Sequence, residues 1–302
     1  MNEAPSLRRD ANLEKNAAQS DEQPGTLLRA LIKSPLPLYL PAALFLILFF
    51  IVPLGYVLVM SVTEPKPGLG NFSYLLSSGH FFAVLLETFK TATIVTVCSL
   101  LLGYPLAYIA ASPARRLGGL LLAIIALSFW TSFLVRTYAW MVIFGRQGPL
   151  THLLESLGWV PSPKMLFTSF SATVAMTHAM VPFMVMAMYA VMKRIDSRYV
   201  RAAQSLGAHP LRAFATVYLP LSLPGVVNGC TLVFITCLGF YVMPVLLGSP
   251  NQQMISGVIG DQIEQVLDFG AASAMSVILL VITVALFWLY HRFIGLDRLW
   301  RK

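Results

Sequence analysis

Six mostly apolar stretches, roughly residues 38–62, 91–112, 118–144, 171–192, 225–247 and 273–294, alternate with polar segments along the chain. A helix needs about 20 apolar residues to cross the hydrocarbon core of a bilayer, and each stretch is long enough. The pattern predicts an all-α membrane protein: six transmembrane helices within residues 37–302, preceded by a polar segment, residues 1–36. That segment carries Arg8, Arg9, Lys15, Asp21 and Glu22 and no apolar run long enough for a signal peptide. It reads as a cytoplasmic tail, with an amphipathic stretch near Leu27–Ile32 lying on the membrane surface. Pro41, Pro53, Pro105, Pro182 and Pro244 fall within or near the spans, where neighbouring helices can satisfy the carbonyls they free.

Composition agrees with the pattern. The chain is 57% hydrophobic and 11% charged, whereas a soluble domain carries about 25% charge. The net charge of +8 would suggest nucleic acid in a soluble protein. Here it marks orientation, and no nucleic-acid partner is expected. With both termini in the cytoplasm, sixteen of the 21 Lys and Arg residues lie on the inner side. Lys66, Lys90, Arg136, Arg146 and Lys164 make up the outer five. That asymmetry predicts an N-in, C-in topology in which the 193–223 loop is cytoplasmic. Loops 63–87, 145–170 and 248–271 then face outward, and their short helical patterns suit a lid or a docking surface. Cys98, Cys230 and Cys237 lie inside apolar runs as small buried side chains.

The 193–223 loop has a pattern of its own. Asp196 or Ser197 is a candidate helix N-cap and Gly207 a candidate stop. Between them Tyr199, Ala202, Ala203 and Leu206 fall on one helical face. His209-Pro210 begins a second short helix. Residues 195–209 thus predict helix–turn–helix, with a small apolar knob and basic shoulders suited to a groove on a soluble partner.

The order Arg201-Ala202-Ala203, three residues, Gly207, nine residues, Val217-Tyr218-Leu219-Pro220 resembles a pattern of bacterial ABC importer membrane subunits. In that family the pattern runs Glu-Ala-Ala, Gly, Ile-x-Leu-Pro at the same spacing. Here Val stands for Ile, and Arg201 reverses the charge of the Glu. The resemblance implies a type I importer permease fold in a bacterial inner membrane. It implies docking of an ATPase on Tyr199, Arg201, Ala202, Ala203, Leu206 and Gly207. It also implies a second permease subunit, two ATPase subunits carrying ATP and Mg²⁺, a periplasmic solute-binding protein and surrounding membrane lipid. No G-x-x-x-x-G-K-[ST] phosphate loop occurs in the chain. No cofactor is therefore expected on it, and it reads as a transport subunit rather than an enzyme.

Three further segments resemble the spermidine/putrescine-type permeases: Arg136-Thr137-Tyr138, the run Gly239-Phe240-Tyr241-Val242-Met243-Pro244 through Ser249, and Asp268-Phe269-Gly270-Ala271-Ala272. The likeness covers roughly residues 38–294. It implies that Phe240 and Tyr241 lie near mid-membrane and close the pore against a partner. Arg136 falls near the outer interface, either snorkelling among Tyr and Trp, forming a structural ion pair or contacting the translocation route. His178 lies within the fourth span, where a polar side chain either bonds a neighbouring helix or serves function.

Cargo is less sharply marked. Ammonium groups leaving water need acidic or aromatic replacements. No Asp or Glu lies inside a predicted span, Glu87 sits at an outer edge, and Met243 and Pro244 stand where similar polyamine carriers often hold a carboxylate. A polyamine-like solute, an aminophosphonate or an opine-like amino acid derivative all fit. An ion-gradient-driven secondary transporter is the alternative, but it favours intramembrane carboxylates. No constellation of a membrane-embedded enzyme is present.

Overall fold

The computed structural model describes residues 36–112, 117–159 and 163–294. The expected surface stretch Leu27–Ile32, Arg115, Arg116 and the basic residues after Ile294 lie outside the described residues. The chain divides into two units at Val59.

The first apolar run is one continuous helix, Tyr39–Thr63. It is built from α1 (Leu36–Leu46), a wider turn at Ile47–Ile51 and α2 (Val52–Thr63). Its side chains from Leu40 to Val52 are exposed on every face. An all-round apolar helix of this kind belongs in lipid or against other helices.

From Met60 onward, α3 (Gly70–Ser77) and α4 (Gly79–Ala111) lead into the bent pair α5 (Leu117–Trp130) and α6 (Phe133–Phe144). After α7 (Pro149–Ser156) comes α8 (Ser169–Met192), the centre of the bundle, packed between α4 and the later α11 (Leu219–Leu238). The contact face of α8 is a stripe of Met176, Met180, Met184, Met188 and Met192, each 2% exposed or less. A four-residue spacing keeps these side chains on one face, and the flexible thioethers fill irregular gaps. Helices in lipid gain little from burying apolar surface, so they associate by close approach at small residues. Gly103 of α4 and Gly229 of α11 both face Met184: a Cβ at Gly229 would stand 2.7 Å from its sulfur.

Most polar side chains inside the bundle find partners among the described residues; the buried Ser99 hydroxyl of α4 does not. Thr88, Thr96 and Thr177 donate to carbonyls one turn back. Across helices, the Tyr104 and Ser222 hydroxyls lie 2.9 Å apart. Ser171 donates to the Leu247 carbonyl at 2.7 Å, and Thr88 accepts from the Ile255 amide at 2.8 Å.

The structure redraws three of the expected spans. α4 begins at Gly79, with Ser78 as N-cap, rather than near residue 91. At 33 residues it is about 50 Å long, some 20 Å more than the hydrocarbon core. The surplus carries the Lys90–Glu87 ion pair (3.1 Å) at the outer end. The third run is broken at Thr131-Ser132 by a 99° bend. The fifth begins at Pro210 and ends at Leu238 instead of running 225–247. Gly239-Phe240 leaves helical geometry, and a separate short helix α12 (Val242–Leu247) follows. Among the described residues five helices are long and apolar enough to cross a membrane, and the bent pair makes the sixth. α13 (Ile255–Asp261) and α14 (Phe269–Ile294) complete the chain. Asp268 caps α14 by accepting the Ala271 amide at 2.9 Å.

Candidate functional site

The cytoplasmic loop folds as its residues dictate. α9 (Ser197–Ser205) is capped by Asp196, whose Oδ1 accepts the Arg198 amide at 2.8 Å. Gly207 ends the helix at φ +90°, a conformation in which a side chain is strained. The Ala208 amide donates to the Ala203 carbonyl (3.1 Å) and the Gly207 amide to that of Gln204 (2.9 Å), tying off the last turn. His209 then occupies the N-cap position of α10 (Pro210–Ala213) without a side-chain bond, with Pro at the first helical position. Phe214–Tyr218 joins α10 to α11 as one wide helical turn.

The outer face of α9 is open. Tyr199 is 60% and Leu206 89% exposed; Arg201, Ala202 and Gly207 are exposed and Ala203 is half-buried. An exposed leucine beside an exposed tyrosine on a short helix makes a compact apolar patch of the kind that marks a protein contact. Its underside is held by Ile195 and Val200, which with Tyr218, Tyr108 and Arg201 line a small crevice. The rings of Tyr108 and Tyr218 meet edge-on at 5.0 Å, and Phe214 stacks on Tyr218 at 5.6 Å. α9 is thus backed by an aromatic cluster rooted in α4 and in the turn leading to α11.

A second cluster forms where the two helix breaks meet. Phe240 lies just beyond the end of α11, where the break at Gly239 interrupts the continuous fifth span expected from the sequence. Its ring packs edge-on against Phe133 at 5.5 Å, the first residue of α6. Its carbonyl accepts from the Ser256 hydroxyl at 2.5 Å. Arg136, one turn along α6, is 6% exposed. Its Nη2 donates to the Ser128 carbonyl (2.5 Å), the Thr131 carbonyl (3.3 Å) and Ser128 Oγ (3.3 Å). The guanidinium also lies 5.5 Å from the Phe133 ring centre. It is therefore not a snorkelling side chain: it closes the C-terminal carbonyls of α5 across the bend. A further turn along α6, Trp140 Nε1 donates to His178 Nδ1 at 3.2 Å. His178 sits on the exposed side of α8, away from the methionine stripe.

Arg136 thus projects from α6, and His178 and Phe240 both contact that helix. Tyr241 is not: its hydroxyl reaches Glu264 at 3.5 Å in the outer loop, and its ring covers Gly260. Phe133 and Trp140, which join the three, were not singled out from the sequence. The Thr131-Ser132 pair just before Phe133 was the available signal.

Residues 103–294 match the family described as binding-protein-dependent transport system inner membrane component. The chain is similar to the spermidine/putrescine transport system permease protein PotB of Escherichia coli (strain K12), 31% identical over 225 residues, covering 74% of this chain and 82% of that one. It is also similar to the inner membrane ABC transporter permease protein YdcU of the same strain, 26% identical over 253 residues and 78% of each chain. Among solved structures, a bacterial ABC transporter involved in import of the acidic polysaccharide alginate superposes with a TM-score of 0.64 over 93% of this chain and 99% of that one, at 18% identity.

Proposed function

Because the chain belongs to the family of binding-protein-dependent transport system inner membrane components, we propose that it is the pore-forming subunit through which an ABC importer moves a small amine-bearing solute inward. Its place in the inner membrane and its role as a transport component, with ATP hydrolysis on a separate subunit, follow from the family. Its fold is that of type I importer permeases. In this reading a second permease, identical or similar, completes the pore. Two ATPase subunits dock, one on α9 and one on the corresponding helix of the second permease, and a periplasmic binding protein delivers cargo to the outer loops.

The observation that carries the reading is the exposed, doubly capped α9 with its apolar knob. Movement of an ATPase would push α9 against the Tyr108–Phe214–Tyr218 cluster and so tilt α11, which ends at Leu238, two residues before Phe240. The cargo class is supported by the similarity to PotB, a spermidine/putrescine transport system permease protein. Polyamine-like solutes, aminophosphonates and opine-like amino acid derivatives share the amine. Proteoliposomes holding this chain, its partner permease and its ATPase, supplied with binding protein, should accumulate one of these classes only when ATP is enclosed with the ATPase. Uptake driven by an ion gradient without ATP would overturn the reading.

Two outcomes follow from the geometry. Arg201 stands on the exposed flank of α9 where the family pattern has Glu, so the ATPase surface it meets should offer an acid or a backbone carbonyl. Arg201→Glu should reduce coupled uptake about tenfold, the effect of turning one charge-assisted bond of roughly 1.5 kcal/mol into a repulsion. An acid-to-base change on the ATPase should restore part of it. Silence of Arg201→Glu would make Arg201 a solvated flank.

The second outcome concerns Phe240 and Tyr241 as a gate. Truncating both to Ala removes packing that typically contributes about 3–5 kcal/mol per buried aromatic ring, less for the half-exposed Tyr241. The closed state makes more of that contact than the open one. ATP hydrolysis without delivered cargo should rise and uptake per ATP should fall. Wild-type values for both would place the gate elsewhere.

A further inference from the structure

Between the cytoplasmic ends of α8 and α11 lies a groove of about 460 Å³, lined by Val191, Arg194, Tyr199, Pro220, Leu221 and Pro224 among others. Its depth in the bilayer follows from helix length. The apolar span of α8 ends at Met192, so Arg194 stands about 3 Å beyond it at 1.5 Å per residue. α11, with 20 residues from Leu219 to Leu238, matches the roughly 30 Å hydrocarbon core by itself. Pro220 and Leu221 then sit at the inner boundary, and Pro224 lies about 6 Å inside it. The groove straddles the level at which headgroups give way to acyl chains.

Its chemistry is divided the same way. The deep wall of Val191, Leu221 and Pro224 is apolar. The exposed Arg194 and Tyr199 also line the groove. Residues 193–212 carry five Lys and Arg against one acid, Asp196. Asp196 is already committed, with Oδ1 accepting the Arg198 amide and Oδ2 4.0 Å from Arg198 Nε. Among the described residues Arg194 has no ion-pair partner. Basic pockets between spans on the cytoplasmic side suit anionic headgroups.

We propose that this groove holds one anionic phospholipid of the inner leaflet. Its phosphate meets Arg194 and the Tyr199 hydroxyl, and an acyl chain lies along Val191, Leu221 and Pro224. Tyr199 also belongs to the knob of α9, so lipid charge would set the position of the docking helix. The site needs only the membrane orientation; its effect on transport rests on the docking role of α9.

The test uses the complete transporter in nanodiscs of phosphatidylcholine mixed with phosphatidylglycerol. Native mass spectrometry reads phosphatidylglycerol retained on the released complex. The wild type and Arg194→Lys should retain it. Arg194→Gln should retain about fivefold less, the size of one basic residue's attraction to an anionic leaflet. Val191→Trp, which fills the groove without touching charge, should also lose it. Equal retention by all four overturns the proposal. So does displacement of the lipid by inorganic phosphate in detergent, which would make the site one for a free anion. Loss of a subunit from the Val191→Trp complex with lipid retention unchanged would also overturn it, because the groove would then be a protein contact. Retention is read without transport, so failure of the importer reading would leave this result standing on its own.

Discussion

Ala203→Asp should abolish ATP-driven uptake while leaving the membrane bundle folded. Ala203 is half-buried on the outward face of α9, between the exposed Tyr199 and Leu206. In the free chain an aspartate there stays hydrated. It costs α9 under about 1 kcal/mol in helix propensity, and the Asp196 and Gly207 caps still hold the ends. Against an ATPase groove the same carboxylate loses its water with no cation built to meet it. An uncompensated buried charge costs about 3–5 kcal/mol, which is roughly a hundredfold or more in association. The ATPase should no longer copurify with a tagged permease, and uptake into proteoliposomes should vanish. The helical circular dichroism and melting of the permease should match wild type. Full ATPase recovery together with normal uptake would show that α9 is not the docking element.

That loop was also the most legible part of the chain. Its information is local: a capping Asp, a Gly at positive φ and a Pro at a helix start each act within a few residues. The sequence alone placed α9 and the start of α10 to within a residue or two. The spans were legible as apolar runs, but not the faces they bury. α8 is apolar almost all round, so nothing in its periodicity separates the methionine stripe from the side carrying His178. The burial of that stripe depends on Gly103 and Gly229, which approach it from other helices. The two breaks were missed for a related reason. Thr131-Ser132 and Gly239-Phe240 are short interruptions within hydrophobic runs. They are brought together by tertiary contact, that of Phe133 with Phe240, more than 100 residues apart. The resemblance to importer permeases identified the residues around both breaks without indicating that the helices end there.

The bend at Thr131-Ser132 leads to the last prediction: Arg136→Leu should destabilise the bundle. The last carbonyls of a helix lack partners within it, and α6 turns away from α5 by 99° instead of continuing it. One guanidinium nitrogen covers the gap, bonding the carbonyls of Ser128 and Thr131. The cation also meets the negative end of the α5 dipole. Leucine has a similar bulk but no donor. Removing Arg136 relieves the desolvation of a charge that is 6% exposed, which offsets part of the loss. The orphaned carbonyls remain, at about 1–3 kcal/mol each, and more where lipid rather than water lies beyond them. A net loss of several kcal/mol should lower the thermal unfolding midpoint in detergent and the amount inserted in membranes. Arg136→Lys, whose ammonium ends a shorter side chain and lacks the planar guanidinium geometry, should fall between. A cargo contact gives the opposite split: the midpoint of Arg136→Leu would equal wild type while the KM for cargo rises. The short bond to Ser128 and the burial of the side chain favour loss of stability, with KM unchanged in the fraction that folds.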